Sequence, residues 1–188
     1  MTTPTALTTS QATRRLGEYT VIDVRTPGEY ASGHLPGAHN IPLDHLHTAL
    51  PALKAAASRG TLLMVCASGN RSATACTELA AAGIPATTLA GGTTAWAGEG
   101  HTLLRPENAP AVWPMERQVR LAAGSLVALG LAAGTRWRPA RWLSAAIGTG
   151  LVFSAATNTC GMAAVLAKLP HNQPRTTDLL ATLRVLQD

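Results

Sequence analysis

One stretch constrains this chain more than any other: Cys66-Ala67-Ser68-Gly69-Asn70-Arg71-Ser72. Before it, Thr61-Leu62-Leu63-Met64-Val65 is an apolar run of strand length. After it, residues 73–82 are rich in Ala, Glu and Leu, which favour helix. A strand, a small polar loop and a helix therefore follow one another, with a cysteine where the strand ends. Free backbone N–H groups and the helix dipole stabilise an anion at such a place, the cysteine's own thiolate included. These surroundings pull a thiol pKa from ~8.5 into the range ~3.5–7.5. Arg71 adds a full positive charge on the same loop. Cys66 reads as a nucleophile. The competing reading is a buried, inert strand-end cysteine, since free cysteines are often buried.

The surrounding pattern fixes a fold class. Thr8, Thr9 and Ser10 offer an N-cap to a short helix from Gln11 to Leu16, ended by Gly17. Thr20 to Val24 predicts a buried strand, with Thr26-Pro27-Gly28 turning the chain out of it. Ala38 to Ile41 predicts a second, short strand. Pro42 to Ala57 has helical spacing, and Pro51 is expected to break it in two. A strand near Ala86 to Leu89 and a short helix from Thr93 to Ala97 complete the series. Strands alternating with helices predict an α/β fold, a mostly parallel sheet flanked by helices. Ligands of such sheets bind beyond the carboxyl ends of the strands, where Cys66 lies.

The loop resembles the active-site loop of the rhodanese (sulfurtransferase) family: cysteine-x-x-glycine-x-arginine followed by serine or threonine. Val21-Ile22-Asp23-Val24-Arg25 is similar to that family's first core strand. Its second signature is matched from Glu29 through Gly33-His34-Leu35-Pro36-Gly37-Ala38 to Pro42. Leu89-Ala90-Gly91-Gly92 with Trp96 fits its last strand and following turn. The resemblance implies sulfane-sulfur transfer through a persulfide on Cys66, with Ala67, Ser68, Gly69, Asn70, Arg71 and Ser72 forming the loop that receives substrate. It also implies that Asp23, Arg25 and Glu29 support the pocket by polar contacts. A ring of N–H groups would stabilise both thiolate and persulfide without a separate base. Gly69 lets the backbone curl around the sulfur. No cofactor is expected.

Spacing separates two chemistries. Cysteine phosphatases place five residues between nucleophile and arginine, whereas only the four residues 67–70 intervene here. The smaller ring suits a sulfur atom, leaving phosphatase or arsenate reductase as a lesser alternative. Cys76 reads as core packing rather than a resolving thiol, and His34 as structural. His45 and His47 have no third ligand beside them, so no metal site is read.

Charge divides the chain. Residues 1–110 carry seven basic and seven acidic groups, while residues 111–188 carry eight basic and three acidic. A neutral first part argues against nucleic-acid binding. Residues 121–135 and the 26 residues 142–167 hold no charge; Arg136, Arg138 and Arg141 lie between them, and Trp113, Trp137 and Trp142 near their ends. Two transmembrane helices are the expectation, the first extended through Val119 by snorkelling arginines. A soluble, alanine-rich helical hairpin is the alternative. Gly124/Ala128, Gly130/Gly134, Ala146/Gly150 and Gly150/Ser154 place small residues at a spacing suited to close helix packing.

The segment is similar to the membrane tail of YgaP-like inner-membrane rhodaneses. Residues 116–120, Asn158-Thr159-Cys160-Gly161-Met162 and Leu169-Pro170-His171-Asn172 carry that resemblance. The expected organisation is a rhodanese domain (1–104), a linker (105–114), a transmembrane hairpin (115–170) and an amphipathic tail (171–188). Leu179, Leu180, Leu183 and Leu186 share one face of that tail, which would lie on the membrane or on the protein. Arg105, Arg117, Arg120, Lys168, Arg175 and Arg184 outnumber the three arginines of the turn, placing the rhodanese domain on the cytoplasmic side of a multi-pass inner-membrane protein. The N-terminus lacks the basic start and apolar core of a signal peptide.

The expected partners are a small sulfur donor such as thiosulfate or a persulfide, a thiol or cyanide acceptor, membrane lipid, and a second copy bound through the helices. Cys160 is most simply a packing residue; a second reactive thiol accepting sulfur near the membrane is the alternative. A membrane adaptor or redox sensor built on the same fold is the rival from another class.

Overall fold

The computed structural model describes residues 5–105, 115–157, 161–169 and 176–187. The chain forms two compact units, residues 1–112 with 174–188, and residues 113–173.

The first unit is built on a parallel sheet of β1 (Ala6–Leu7), β2 (Tyr19–Asp23), β3 (His39–Asn40), β4 (Thr61–Val65) and β5 (Ala86–Leu89), ordered β1-β5-β4-β2-β3. Five helices, α1 (Thr9–Arg14), α2 (Pro27–Ala31), α3 (Leu46–Arg59), α4 (Asn70–Ala81) and α5 (Gly92–Gly98), connect and cover it. Side chains alternate across a strand. Accordingly Ile22, Leu62 and Met64 join one apolar cluster with α3 and α4, while Val21, Leu63, Val65 and Leu89 join another with Ala12 and Trp96. β4 lies in the middle of the sheet and is covered on both faces, which is why its sequence is continuously apolar. Cys66 follows directly from this central strand.

Local chemistry explains the ends of the elements. Thr8 and Gln11 form a reciprocal capping box on α1, and Thr26 and Glu29 form one on α2. Pro51 does not split its helix: α3 runs unbroken from Leu46 to Arg59, because Pro51 and His47, one turn earlier, lie on its exposed side, where water can satisfy the unmatched carbonyl. The edge strand β1 has no counterpart in the sequence reading; two residues are too few to show a period.

The second unit consists of α6 (Met115–Ala133), α7 (Ala140–Thr157) and α8 (Gly161–Ala167). The Ser144 hydroxyl donates to the Val127 carbonyl at 2.9 Å, and Arg141 Nε donates to the Gly134 carbonyl at 3.0 Å. A Cβ added at Gly130 would overlap Ser144 Oγ, so this small residue permits the close approach of α6 and α7. Gly124 and Gly150 face open space instead. Large apolar side chains point outward, among them Leu129, Trp142 (78% exposed), Val152 and Phe153.

Among the described residues, no helix is long and apolar enough to cross a membrane. The first turns of α6 are spent on Arg117, Gln118 and Arg120, and α7 has 18 residues where a full crossing takes about 20. Trp113, Cys160, Arg175 and the expected linker from residue 106 onward lie outside the described residues, so the readings placed on them have no structural counterpart.

The final helix, α9 (Thr176–Gln187), belongs to the first unit and packs on α3. Leu186 is buried in the cluster beneath α3, with Leu183 against it, and Leu179 is buried too. Leu180 does not share this face: it is half exposed, because it lies about 100° around the helix from Leu179. The Arg59 guanidinium donates to the carbonyls of Leu186 at 2.6 Å and Gln187 at 3.3 Å, capping the last turn of α9.

Candidate active site

Cys66 lies under its loop, 1% exposed. Its sulfur meets two donors, the Gly69 backbone N–H at 3.1 Å and the Ser72 hydroxyl at 3.5 Å. The expected ring of amides is thus one amide and one hydroxyl. Gly69 adopts φ +99°, a conformation that favours glycine, and its Cβ position would press on the Gly91 nitrogen and the Leu89 carbonyl. The tight curl that aims this amide at sulfur therefore depends on a glycine. α4 begins at the next residue.

Ser72 has one proton and three neighbours: the sulfur, the Gly69 carbonyl at 3.0 Å and the Thr88 hydroxyl at 2.7 Å. When Thr88 donates to Ser72, the serine proton remains for the sulfur or the carbonyl. Thr88 comes from β5 and is buried. On the other side of the loop, α5 supplies amides: Thr93 N–H donates to the Cys66 carbonyl at 2.8 Å and Thr94 N–H to the Ala67 carbonyl at 3.0 Å. A Cβ at Gly92 would overlap the Cys66 carbonyl oxygen, so only glycine lets α5 come this close.

Arg71 does not reach freely into solvent. Its two terminal nitrogens donate to both oxygens of Glu29, at 2.9 and 2.8 Å. Glu29 is buried and also accepts from the Thr26 N–H at 3.1 Å and the Thr26 hydroxyl at 3.0 Å. Burial pushes the Glu29 carboxyl up, but the Arg71 hydrogen bonds and charge, the Thr26 amide and the charge of Arg25 together hold it below the ordinary range. Burial likewise favours loss of the Arg71 proton, yet Glu29, Cys66 and Asp23 more than offset it and hold the guanidinium charged. Arg25 is paired in the same way: Nη2 meets Asp23 Oδ2 at 2.6 Å and the Gly33 carbonyl at 2.7 Å. Asn40 ties the Asp23 and Arg25 carbonyls, at 2.9 Å each.

The candidate residues thus fall into three groups. Cys66, Gly69 and Ser72 are in contact; Arg71 and Glu29 form the fork behind them; Asp23 and Arg25 brace the end of β2. Ala67 contributes its backbone to the join with α5, while the Ser68 and Asn70 side chains lie exposed. Thr88 and Gly92 were missed as site residues. Gly91-Gly92 after an apolar strand was the available signal for one of them; Thr88 had none. Cys76 is buried in the apolar cluster, and burial pushes its thiol up to about 12. His34 Nδ1 donates to the Tyr30 carbonyl at 3.0 Å and the imidazole stacks on the Tyr30 ring, 3.8 Å between centroids, a packing role.

A cysteine closing the central parallel strand, cupped by a glycine-bent loop and backed by an arginine–glutamate fork, defines an α/β protein with a buried thiol site at the end of its sheet. Residues 8–99 match the family model of a rhodanese-like domain, and residues 112–175 match that of the YgaP-like inner membrane protein transmembrane domain. The chain belongs to the rhodanese family, as a membrane protein of the YgaP-like kind. Uncharacterized protein slr1261 of Synechocystis is 36% identical over 167 residues, covering 88% of this chain and 90% of that protein. Among solved structures, a rhodanese-related protein of Thermoplasma volcanium is 28% identical with a TM-score of 0.51, over 54% of this chain and 99% of its own. A rhodanese-like domain protein of Staphylococcus aureus is 34% identical with a TM-score of 0.48, over 55% of this chain and 99% of its own. α9 lies beyond both family matches.

Proposed function

We propose that the protein is a membrane-anchored sulfurtransferase, moving sulfane sulfur from a small donor to a thiol or cyanide acceptor through a persulfide on Cys66. One observation carries this reading: the Gly69 amide and the Ser72 hydroxyl both aim at Cys66 sulfur, an arrangement that stabilises an anion there. The thiolate attacks the outer sulfur of the donor, the donor's sulfur–sulfur bond breaks, and the donor leaves with the electron pair. The acceptor then attacks the persulfide's outer sulfur and the Cys66 thiolate is released. Both half-reactions return the same donors to the same atom, so no group need be rebuilt between them. Asp23, Arg25, Glu29 and Arg71 position the loop rather than touch the transferred sulfur.

The second unit serves as a membrane anchor in this reading. Its outward Leu129, Trp142, Val152 and Phe153 give water an apolar surface that lipid would cover. α6 and α7 form a hairpin in the inner membrane, with the rhodanese unit in the cytoplasm, where a thiol stays reduced. The open small residues Gly124 and Gly150 suit a second copy of the chain.

The test is mass spectrometry of the full chain in detergent after incubation with a sulfur donor. One added sulfur on the Cys66 peptide, removed by cyanide as thiocyanate, is the expected result. If no sulfur is found there while the chain remains folded, an adaptor or sensor role replaces the enzyme.

A further inference from the structure

The last helix falls in neither family match, yet it is built into the first unit. α9 has 12 residues, a length at which a helix in water is marginal without tertiary support. α3 supplies that support. Leu186 is 2% exposed and joins the apolar cluster of Leu46, Leu53 and Met64, and Leu183 packs against the same cluster, as do Leu50 and Ala57 of α3. The Arg59 guanidinium, at the end of α3, donates to the carbonyls of Leu186 and Gln187, groups that a helix C-terminus otherwise leaves to water. α9 also lies against β3, the short strand at the edge of the sheet.

A lipid surface is the other place for such a helix. Helices that lie on lipid carry a strongly basic polar face, whereas α9 has one arginine and one aspartate, Arg184 and Asp178. Three of its four leucines are turned inward, and the exposed side mixes Asp178, Leu180, Arg184 and Val185. The protein is the better-matched partner.

The chain thus leaves the first unit after residue 112 and returns to it through α9. We propose that α9 is an intramolecular clasp, a second and non-covalent attachment between the rhodanese unit and the membrane unit, with the α3 face of the same chain as its docking surface. In the intact chain the covalent connection adds an effective concentration that favours closure. Once the linker is cut, the contacts of α9 alone must hold. The clasp does not depend on the reaction at Cys66.

The experiment starts from the full chain with a protease site inserted after Asn108, assembled at one copy per phosphatidylcholine nanodisc. After cutting, gel filtration reads whether the rhodanese fragment stays with the disc that holds the rest of the chain. Retention is expected. Leu186→Asp puts a charge in the docking face and should raise the free fraction at least about tenfold. Arg59→Ala changes an exposed side chain outside the core, so it tests the clasp even if Leu186→Asp folds poorly; the free fraction should rise several-fold. Leu180→Asp, on the outer side of α9, should leave retention unchanged. A native fragment that leaves its disc on cutting, or retention unmoved in both Leu186→Asp and Arg59→Ala, overturns the proposal. Release by Leu180→Asp but not by Leu186→Asp overturns it as well, and places α9 on lipid.

Discussion

Two thiols ten positions apart, Cys66 and Cys76, lie in the same apolar cluster and are almost equally hidden, 1% and 3% exposed. Cys76 sits within α4 and meets hydrocarbon; with nothing to offset burial, its thiol is pushed up to about 12. Cys66 stands at the junction of β4 and the loop, where an amide and a hydroxyl face its sulfur and the Arg71 charge is close enough to interact with it. Exposure therefore does not distinguish these two thiols. The groups aimed at the sulfur do.

The sharpest break of this comparison is to remove each thiol in turn. Cys66→Ala should lower sulfur loading by more than about 1,000-fold, since it removes the thiol that carries the persulfide in the proposed reaction. Cys76→Ala should leave the loading rate within about twofold and instead destabilise the rhodanese unit by roughly 1–2 kcal/mol, as a small cavity opens beneath α4. Rates come from mass spectrometry and stabilities from urea unfolding. Comparable loss of loading in both variants would mean that the contacts around Cys66 confer no special reactivity.

Next in size is the support beneath the loop. Gly92→Ala places a methyl group against the Cys66 carbonyl at a residue with φ +57°, so the loop and α5 must separate. Loading is expected to fall roughly 100-fold, the scale on which a displaced catalytic geometry costs rate. Overpacking should cost about 1–3 kcal/mol of stability. Gly124→Ala is the control: nothing lies within 4 Å of the added Cβ, and loading should not change.

The legible parts of this site were those written within a few residues. The strand–loop–helix pattern located Cys66, Gly69 and Ser72 because the apolar run, the small polar loop and the alanine-rich helix are contiguous. The boundaries of β2 fell within a residue, at Tyr19–Asp23 rather than Thr20–Val24. Contacts between distant residues were not legible. Nothing local tells that Arg71 closes on Glu29, 42 positions earlier, or that Ser72 meets Thr88 from the neighbouring strand. The docking of α9 was half visible: its leucine spacing showed an apolar face, but not that α3 and Arg59 would receive it.

A smaller effect tests the second donor. Ser72→Ala removes a hydroxyl that faces sulfur, leaving the Gly69 amide in place. Loss of one hydrogen bond to a charged group, about 1.5–3 kcal/mol, corresponds to roughly a 10- to 100-fold slower loading. The lower end is expected, because the same proton is shared with the Gly69 carbonyl. Thr88→Val keeps the shape but removes the hydroxyl paired with Ser72, and should cost several-fold less than Ser72→Ala. An equal or greater loss would move the important polar contact from the sulfur to the sheet.

The smallest expected effect lies in the acid range and belongs to the fork that sets Cys66 apart. Folding lowers the Glu29 pKa: burial opposes the shift, but Arg71, Thr26 and Arg25 prevail. Stability from this group is therefore complete above the unfolded carboxyl pKa, ~4.3, and drains away as pH falls through the lower folded value. Urea midpoints should decline in that acid window for the native chain, and more gently for Glu29→Gln, which has no carboxylate to protonate. Cys76→Ala should keep the native slope, since its thiol stays protonated throughout. Parallel slopes in native and Glu29→Gln chains would show that Arg71 draws nothing from the charge on Glu29, and would leave the arginine free to meet an anion beside Cys66.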